Sequence, residues 1–175
     1  SYGLAFTPGP FVESIQIIKG TGSVINGFES FSGQINIEYF KPDCDESLYY
    51  NLYGSLEGKI ENNLRLVKKN GKWKSNLFGH FSLHEKDIDN NDDGFLDMPH
   101  ITNFNFLNRW KYLDSNISLQ FYARGFIEER IGGTIDNNSN PYLVEINNKL
   151  IELSSKTGFR IPVSYTHLRA HETRN

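Results

Sequence analysis

An all-β chain built from antiparallel hairpins is expected from these 175 residues, on three observations. Short segments alternate apolar and polar side chains with the period of a strand, in which successive side chains point to opposite faces. Turn signals separate those segments, the strongest being Asn70-Gly71. From Ser47 onward no stretch holds the helical period, and no apolar helical span long enough to cross a membrane is present.

Residues 1–10, SYGLAFTPGP, carry prolines and glycines that mark a loop. Two apolar runs come next, Ser14 to Lys19 and Gln34 to Tyr39. In them Ile15 and Ile17, then Ile35, Ile37 and Tyr39, alternate as in strands. Between them lie Gly20, Gly22, Gly27 and Gly33, which permit tight backbone turns. The polar stretch Lys41 to Glu46, KPDCDE, breaks the pattern and separates this small unit from the remainder of the chain.

The hairpins can be tested by register, because residues paired across an antiparallel turn share a face. A two-residue turn at Asn70-Gly71 pairs Lys68 with Trp73, Leu66 with Ser75, Leu64 with Leu77 and Ile60 with Phe81. The opposite face pairs Val67 with Lys74, Arg65 with Asn76, Asn63 with Phe78 and Glu61 with His80. A turn at Asp114-Ser115 pairs Tyr112 with Ile117 and Trp110 with Leu119 on one side, Arg109 with Gln120 and Asn105 with Arg124 on the other. A three-residue turn at Gly58-Lys59-Ile60 sets Leu52 against Leu66 outward, and Tyr53 against Arg65 and Glu57 against Glu61 inward. Each hairpin sorts into an apolar and a polar face.

Two features favour a membrane over an ordinary half-buried sheet. The turns at Asn70-Gly71 and Asp114-Ser115 share one end, whereas the stretches Lys86 to His100 and Ile131 to Asn147 at the other end are long loops, the habit of outer-membrane barrels, with the short turn near Gly58 an exception at the long-loop end. Tyr50, Trp73, Trp110 and Tyr112 fall on the apolar face near the short-turn end, where an interfacial girdle belongs. A soluble sandwich with those rings inside is the competing architecture.

The net charge of −3 gives no sign of a nucleic-acid partner, and Cys44, standing alone, makes no internal disulfide and has no zinc-site spacing. The chain starts in mid-pattern and its sole methionine is Met98, so a start codon and any targeting segment are expected upstream. Ser164 to Asn175, SYTHLRAHETRN, breaks the strand pattern and looks like a translated sequencing adapter, so His167 and His171 are not taken as a metal site.

The stretch FVESIQIIKGTGSVINGFESFSGQINIEYF, residues 11–40, resembles the last part of the plug domain of TonB-dependent outer-membrane receptors. There a strand of the type IEVIKGPGS leads through SxxGxINI into the barrel. Asp89 to Pro99, Asn108-Arg109-Trp110, Glu129 to Gly133 and Lys149 to Phe159 are similar to early barrel strands of the same family. The resemblance implies a fragment: residues 1–42 as the C-terminal part of a plug, 43–163 as about six strands of a transmembrane β-barrel, and 164–175 as a non-native tail. It further implies a receptor in the cell outer membrane that takes up a scarce small ligand such as a ferric siderophore, cobalamin or haem. Its partners would be membrane lipid and TonB with its inner-membrane energising complex. Lys19, Gly20, Gly22 and Gly33 would belong to the plug gate. Glu57, Glu61, Arg65, Arg109 and Arg124 would face the lumen and pair with Glu13, Lys19 and Glu29 of the plug, because buried charges need partners.

No cofactor is required by this reading, but calcium is a candidate ion. Asp89-x-Asn91-x-Asp93-Gly94 matches the first half of a calcium loop, with Asp97 nearby; position twelve is then His100 rather than a bidentate glutamate, so an EF-hand is excluded. A similar DNDGF stretch in the family belongs to extracellular loops that bind calcium. The same residues also suit a solvated polar turn. His80 and His84 share a strand face and are expected to touch the plug. No nucleophile elbow, phosphate loop or paired-acid signature appears, so no enzyme is expected. The alternative from another class is a secreted β-sandwich that binds calcium or carbohydrate.

Overall fold

A computed structural model describes residues 7–20, 33–135 and 142–160. Over those residues it is all-β, apart from one 3-10 turn at Gly9–Phe11, and its strands are antiparallel. β1 (Val12–Lys19) and β2 (Gly33–Tyr39) form a two-stranded ribbon. β3 (Leu48–Gly54), β4 (Lys59–Asn70), β5 (Trp73–His84), β6 (His100–Leu113), β7 (Ile117–Gly133) and β8 (Leu143–Phe159) succeed one another in a six-stranded meander. The meander is open, with β3 and β8 as its edges.

The turns sit elsewhere than the sequence signals suggest, and the registers move with them. Asn70 pairs with Trp73, so the tip is Gly71-Lys72, and Lys68 stands opposite Ser75 rather than Trp73. Gly71 has φ +57°, which suits the first central position of a II′ turn. At the next hairpin the tip is Ser115-Asn116: Asp114 N donates to Ile117 O at 2.8 Å, and Tyr112 pairs with Leu119 rather than Ile117. Between β3 and β4 the turn is Ser55 to Gly58, and Leu66 faces Leu48 rather than Leu52. These shifts are of two, two and four residues, all even, so the side chains that stay within strands keep their faces, while Glu57 falls in the β3–β4 turn.

A second correction concerns Ile131 to Asn147, expected as loop. β7 runs on to Gly133 and β8 begins at Leu143, with Ile131 opposite Glu145. Gly133 closes the ladder at φ +133°, with Tyr142 O so near that a Cβ would meet it at 1.9 Å. The aromatic cluster is also smaller than expected. Trp73 and Tyr112 pair with ring centroids 5.0 Å apart, and Trp110 stacks on Phe121 at 5.3 Å. Tyr50 instead pairs with Leu64, six positions before Asn70 on β4, and takes no part.

The polar face of the meander is the covered one. Asn76, Asn63, His84 and Glu128 are at most 1% exposed, while Leu48 (61%), Trp73 (52%), Ile127 (53%) and Ile151 (84%) lie bare on the opposite face. That apolar face runs from Trp73 to Leu83 on β5 and from Ile117 to Ile127 on β7, before Glu129 ends it. A tilted strand needs about 9–11 residues to cross a bilayer. No helix among the described residues is long and apolar enough to cross a membrane, which leaves crossing by strands untouched.

Candidate functional site

Part of the covering of the polar face, over Arg65, Asn76, Phe78, His80 and Arg109, comes from the chain on either side of the ribbon. The 3-10 turn presents Phe11, which is buried against Phe78 at 4.9 Å and meets Tyr39 and His80 edge-on at 6.5 and 6.4 Å. Phe78 and Leu107 complete the small core, with Tyr39, Phe40 and Tyr122 around it. Phe40 N donates to Phe11 O at 3.1 Å, which holds both ends of the ribbon together on the meander. Where the ribbon leaves for β3, its carbonyls are taken by the meander: Asn76 Nδ2 donates to Phe40 O (3.1 Å), and Arg109 Nη1 lies 3.3 Å from Tyr39 O.

Of the expected lumen charges, Arg65 and Arg109 do meet the plug-like segment, but through other partners than those expected. Arg65 is buried, bonds Glu46, and lies over the Phe40 ring at 4.0 Å. Neither it nor Arg109 pairs with Glu13 or Lys19, because β1 extends away from the wall and its side chains are largely exposed; Glu29 lies outside the described residues. Glu61 bonds Lys59 on its own strand, and Arg124 faces Leu107 and Glu152 on the same polar face. Glu57 is not on that face. It lies exposed in the β3–β4 turn, and its carbonyl receives His84 Nε2 at 3.0 Å.

Lys19 and Gly33 pair at the far end of the ribbon, and Gly20 comes next with φ +91°. Gly33 is required there: at φ +131° a Cβ would come within 2.8 Å of Ile18 O. Gly22 lies outside the described residues. His80 and His84 share the polar face as expected; His80 Nδ1 is 2.6 Å from Asn63 Oδ1, while the His84 ring lies against the carbonyls of Pro99 and Glu57.

The acidic loop uses its own carboxylates. Asp89 accepts from Asp93 N (3.2 Å) and Gly94 N (2.9 Å), Asp93 from Phe95 N (2.8 Å) and Asn91 Nδ2 (2.9 Å), and Asp97 from Asn90 N and Nδ2 (both 2.9 Å). This is how Asp and Asn side chains shape turns. Among the described residues no group of three or more His, Cys, Asp or Glu side chains is placed to hold a metal ion.

Two groups carry no signal of this kind in the sequence. Glu128, buried on β7, is met by Arg130 Nε at 2.8 Å and by Asn148 Nδ2 at 3.0 Å. Asp43 bridges Lys74 and Lys111, each at 2.6 Å, and ties the linker to β5 and β6. The alternating acids of KPDCDE are the one hint of it, but their partners lie about thirty and about seventy residues away, as loop closure allows. Hydrogen bonds from Lys111 and then Lys74 hold the Asp43 carboxyl below its usual range, against a smaller opposing effect of burial. A lowered folded-state value stabilises above the unfolded value, about 3.9, and the benefit is lost as pH falls through the folded one. The stability difference between wild type and Asp43→Asn is therefore expected to stay constant from pH 7 to about 4 and to vanish below it, read by urea titration at each pH.

No protein-family model, curated protein or solved structure matches this chain in comparisons with known proteins.

Proposed function

We propose that the chain is the plug-to-wall portion of a TonB-dependent outer-membrane receptor, serving active uptake of a scarce small ligand of the ferric siderophore, cobalamin or haem type. One observation carries this reading: apart from Phe78, Leu107 and Phe126, the meander buries polar side chains, Asn63, Arg65, Asn76, His80, His84, Asn103, Asn105 and Glu128 among them, and leaves most of its leucines, isoleucines and aromatic rings on the bare face. In water that arrangement exposes apolar surface far beyond what a soluble domain tolerates, whereas in a bilayer the bare face is solvated by lipid. The runner-up, a secreted sandwich, needs the opposite sorting, with apolar faces turned inward.

On this reading the face from Trp73 to Leu83 and from Ile117 to Ile127 meets lipid. The strand extensions past Glu129, with the acidic loop, stand on the outer side. The segment 7–20 and 33–43 is part of the stopper inside, and TonB, driven by the inner-membrane proton gradient, acts on it. Residues of the wall do no covalent chemistry; they hold the stopper by stacking, as Arg65 does on Phe40, and by hydrogen bonds to its carbonyls. The open edges of β3 and β8 call for further strands, since unpaired backbone does not persist in hydrocarbon.

The test is fractionation of cells that express the gene at its natural length, together with uptake of labelled ferric siderophore, cobalamin and haem with and without TonB. Outer-membrane location and TonB-dependent uptake of one of the three are expected. A product that stays soluble and monomeric without detergent would end the proposal.

A further inference from the structure

Four lysines lie along one cross-strand line of the polar face. Lys69 is opposite Lys74, Lys74 opposite Lys111, Lys111 opposite Gln120, and Gln120 opposite Lys156. Like charges set directly opposite destabilise a sheet, so such a line calls for anions. At one end the linker supplies them: Asp43 takes Lys74 and Lys111, and Asp45 lies 3.4 Å from Lys69. At the other end no acid is supplied, and no ion pair or side-chain hydrogen bond engages Lys156 or Gln120 among the described residues.

A cavity of about 240 Å³ opens there, between the linker and strands β6 to β8. Lys41, Arg109, Lys111 and Lys156 line it with Asp43, Gln120 and Ser154; Lys41 also reaches Glu38 at 3.5 Å, Arg109 the carbonyls of Tyr39 and Phe40, and Lys111 Asp43, so Lys156 is the lining cation among the described residues that has no partner. We infer that this cavity is a binding site for a compact oxyanion of the phosphate class. Cations from the linker, β6 and β8 line a volume that admits a small multiply charged anion, and lysine and arginine form their strongest hydrogen bonds with such oxygens. Asp43, already bonded to Lys111, is the internal competitor that sets the affinity. The site lies next to the hairpin tips at 71–72 and 115–116, the end away from the acidic loop. It is therefore separate from any ligand surface formed by the long loops.

Calorimetry with inorganic phosphate on the natural-length protein in detergent micelles tests this, alongside Lys156→Gln and Asp43→Asn. Lys156 is exposed, so its replacement leaves the fold intact, which the β-sheet circular dichroism spectrum verifies. Saturable binding is expected, about tenfold weaker in Lys156→Gln, the size of one lost charge-assisted hydrogen bond. In Asp43→Asn it is tighter, because the competitor is gone. No saturable heat, or equal affinity in wild type and Lys156→Gln, would overturn the site. A polyglutamate peptide that bound more tightly than phosphate would overturn it too, in favour of an acidic polypeptide occupant.

Discussion

An arginine in place of Ile151 is expected to cost about 2–4 kcal/mol of stability when the natural-length protein is folded in lipid vesicles. Ile151 is 84% exposed and belongs to the cross-strand line Tyr50, Leu64, Gly79, Phe106, Gly125, which runs through the middle of the apolar face. On the surface of a water-soluble sheet the same change would stay within about 0.5 kcal/mol, since nothing buried is disturbed. The cost in vesicles is that of placing a cation in hydrocarbon, and it depends on depth. Glu145→Arg, on the same face but beyond Glu129, is therefore the control, with little effect. Urea titration monitored through Trp73 and Trp110 fluorescence reads both. An Ile151→Arg cost as small as that of the control would remove the bilayer from the account.

Truncating Phe78 to alanine is expected to cost about 3–5 kcal/mol, the range for deleting a buried aromatic ring. The ring is fully buried between the segment at Phe11 and the wall at Leu107. Its removal leaves Phe11 without its nearest aromatic neighbour, at 4.9 Å, and frees the Phe40 N to Phe11 O hydrogen bond to open. Guanidinium unfolding gives the cost, and hydrogen exchange at the Phe40 amide reports the opening. Phe81→Ala, three positions along β5 and on the bare face, loses no protein core and is expected to leave that amide protected. Slow exchange at Phe40 in Phe78→Ala would show that the ribbon is held by its polar contacts alone.

The two faces of the meander are legible residue by residue. Leu66, Leu77 and Phe104 fall on one side and Arg65, Asn76 and Asn105 on the other, because side-chain direction in a strand has a period of two and depends on nothing distant. The strand partners are less so. Asn70-Gly71 announces a turn, but whether glycine stands second or third in it is settled by φ at Gly71 and by the twist of both strands. Likewise Gly132-Gly133 and the asparagines after it look like a loop, yet the β7–β8 ladder continues as far as Gly133 because a neighbouring strand is there to receive its hydrogen bonds. For the site, Arg65 and Arg109 are legible as inward charges, while their partners are not. A guanidinium finds carbonyls and ring faces as readily as carboxylates, and the segment that carries Tyr39 and Phe40 reaches the wall by a path no local pattern encodes.

Alternation along the chain is thus enough to specify antiparallel strands and to say which side chains share a face, since both arise from local geometry. Folding in three dimensions adds that the hydrophilic face is the covered one, that Asp43 and Phe11 fasten the ribbon to it, and that a lysine-lined cavity is left beside them. Those outcomes depend on contacts between residues some thirty to seventy positions apart, whose closure is favourable only once the wall already stands.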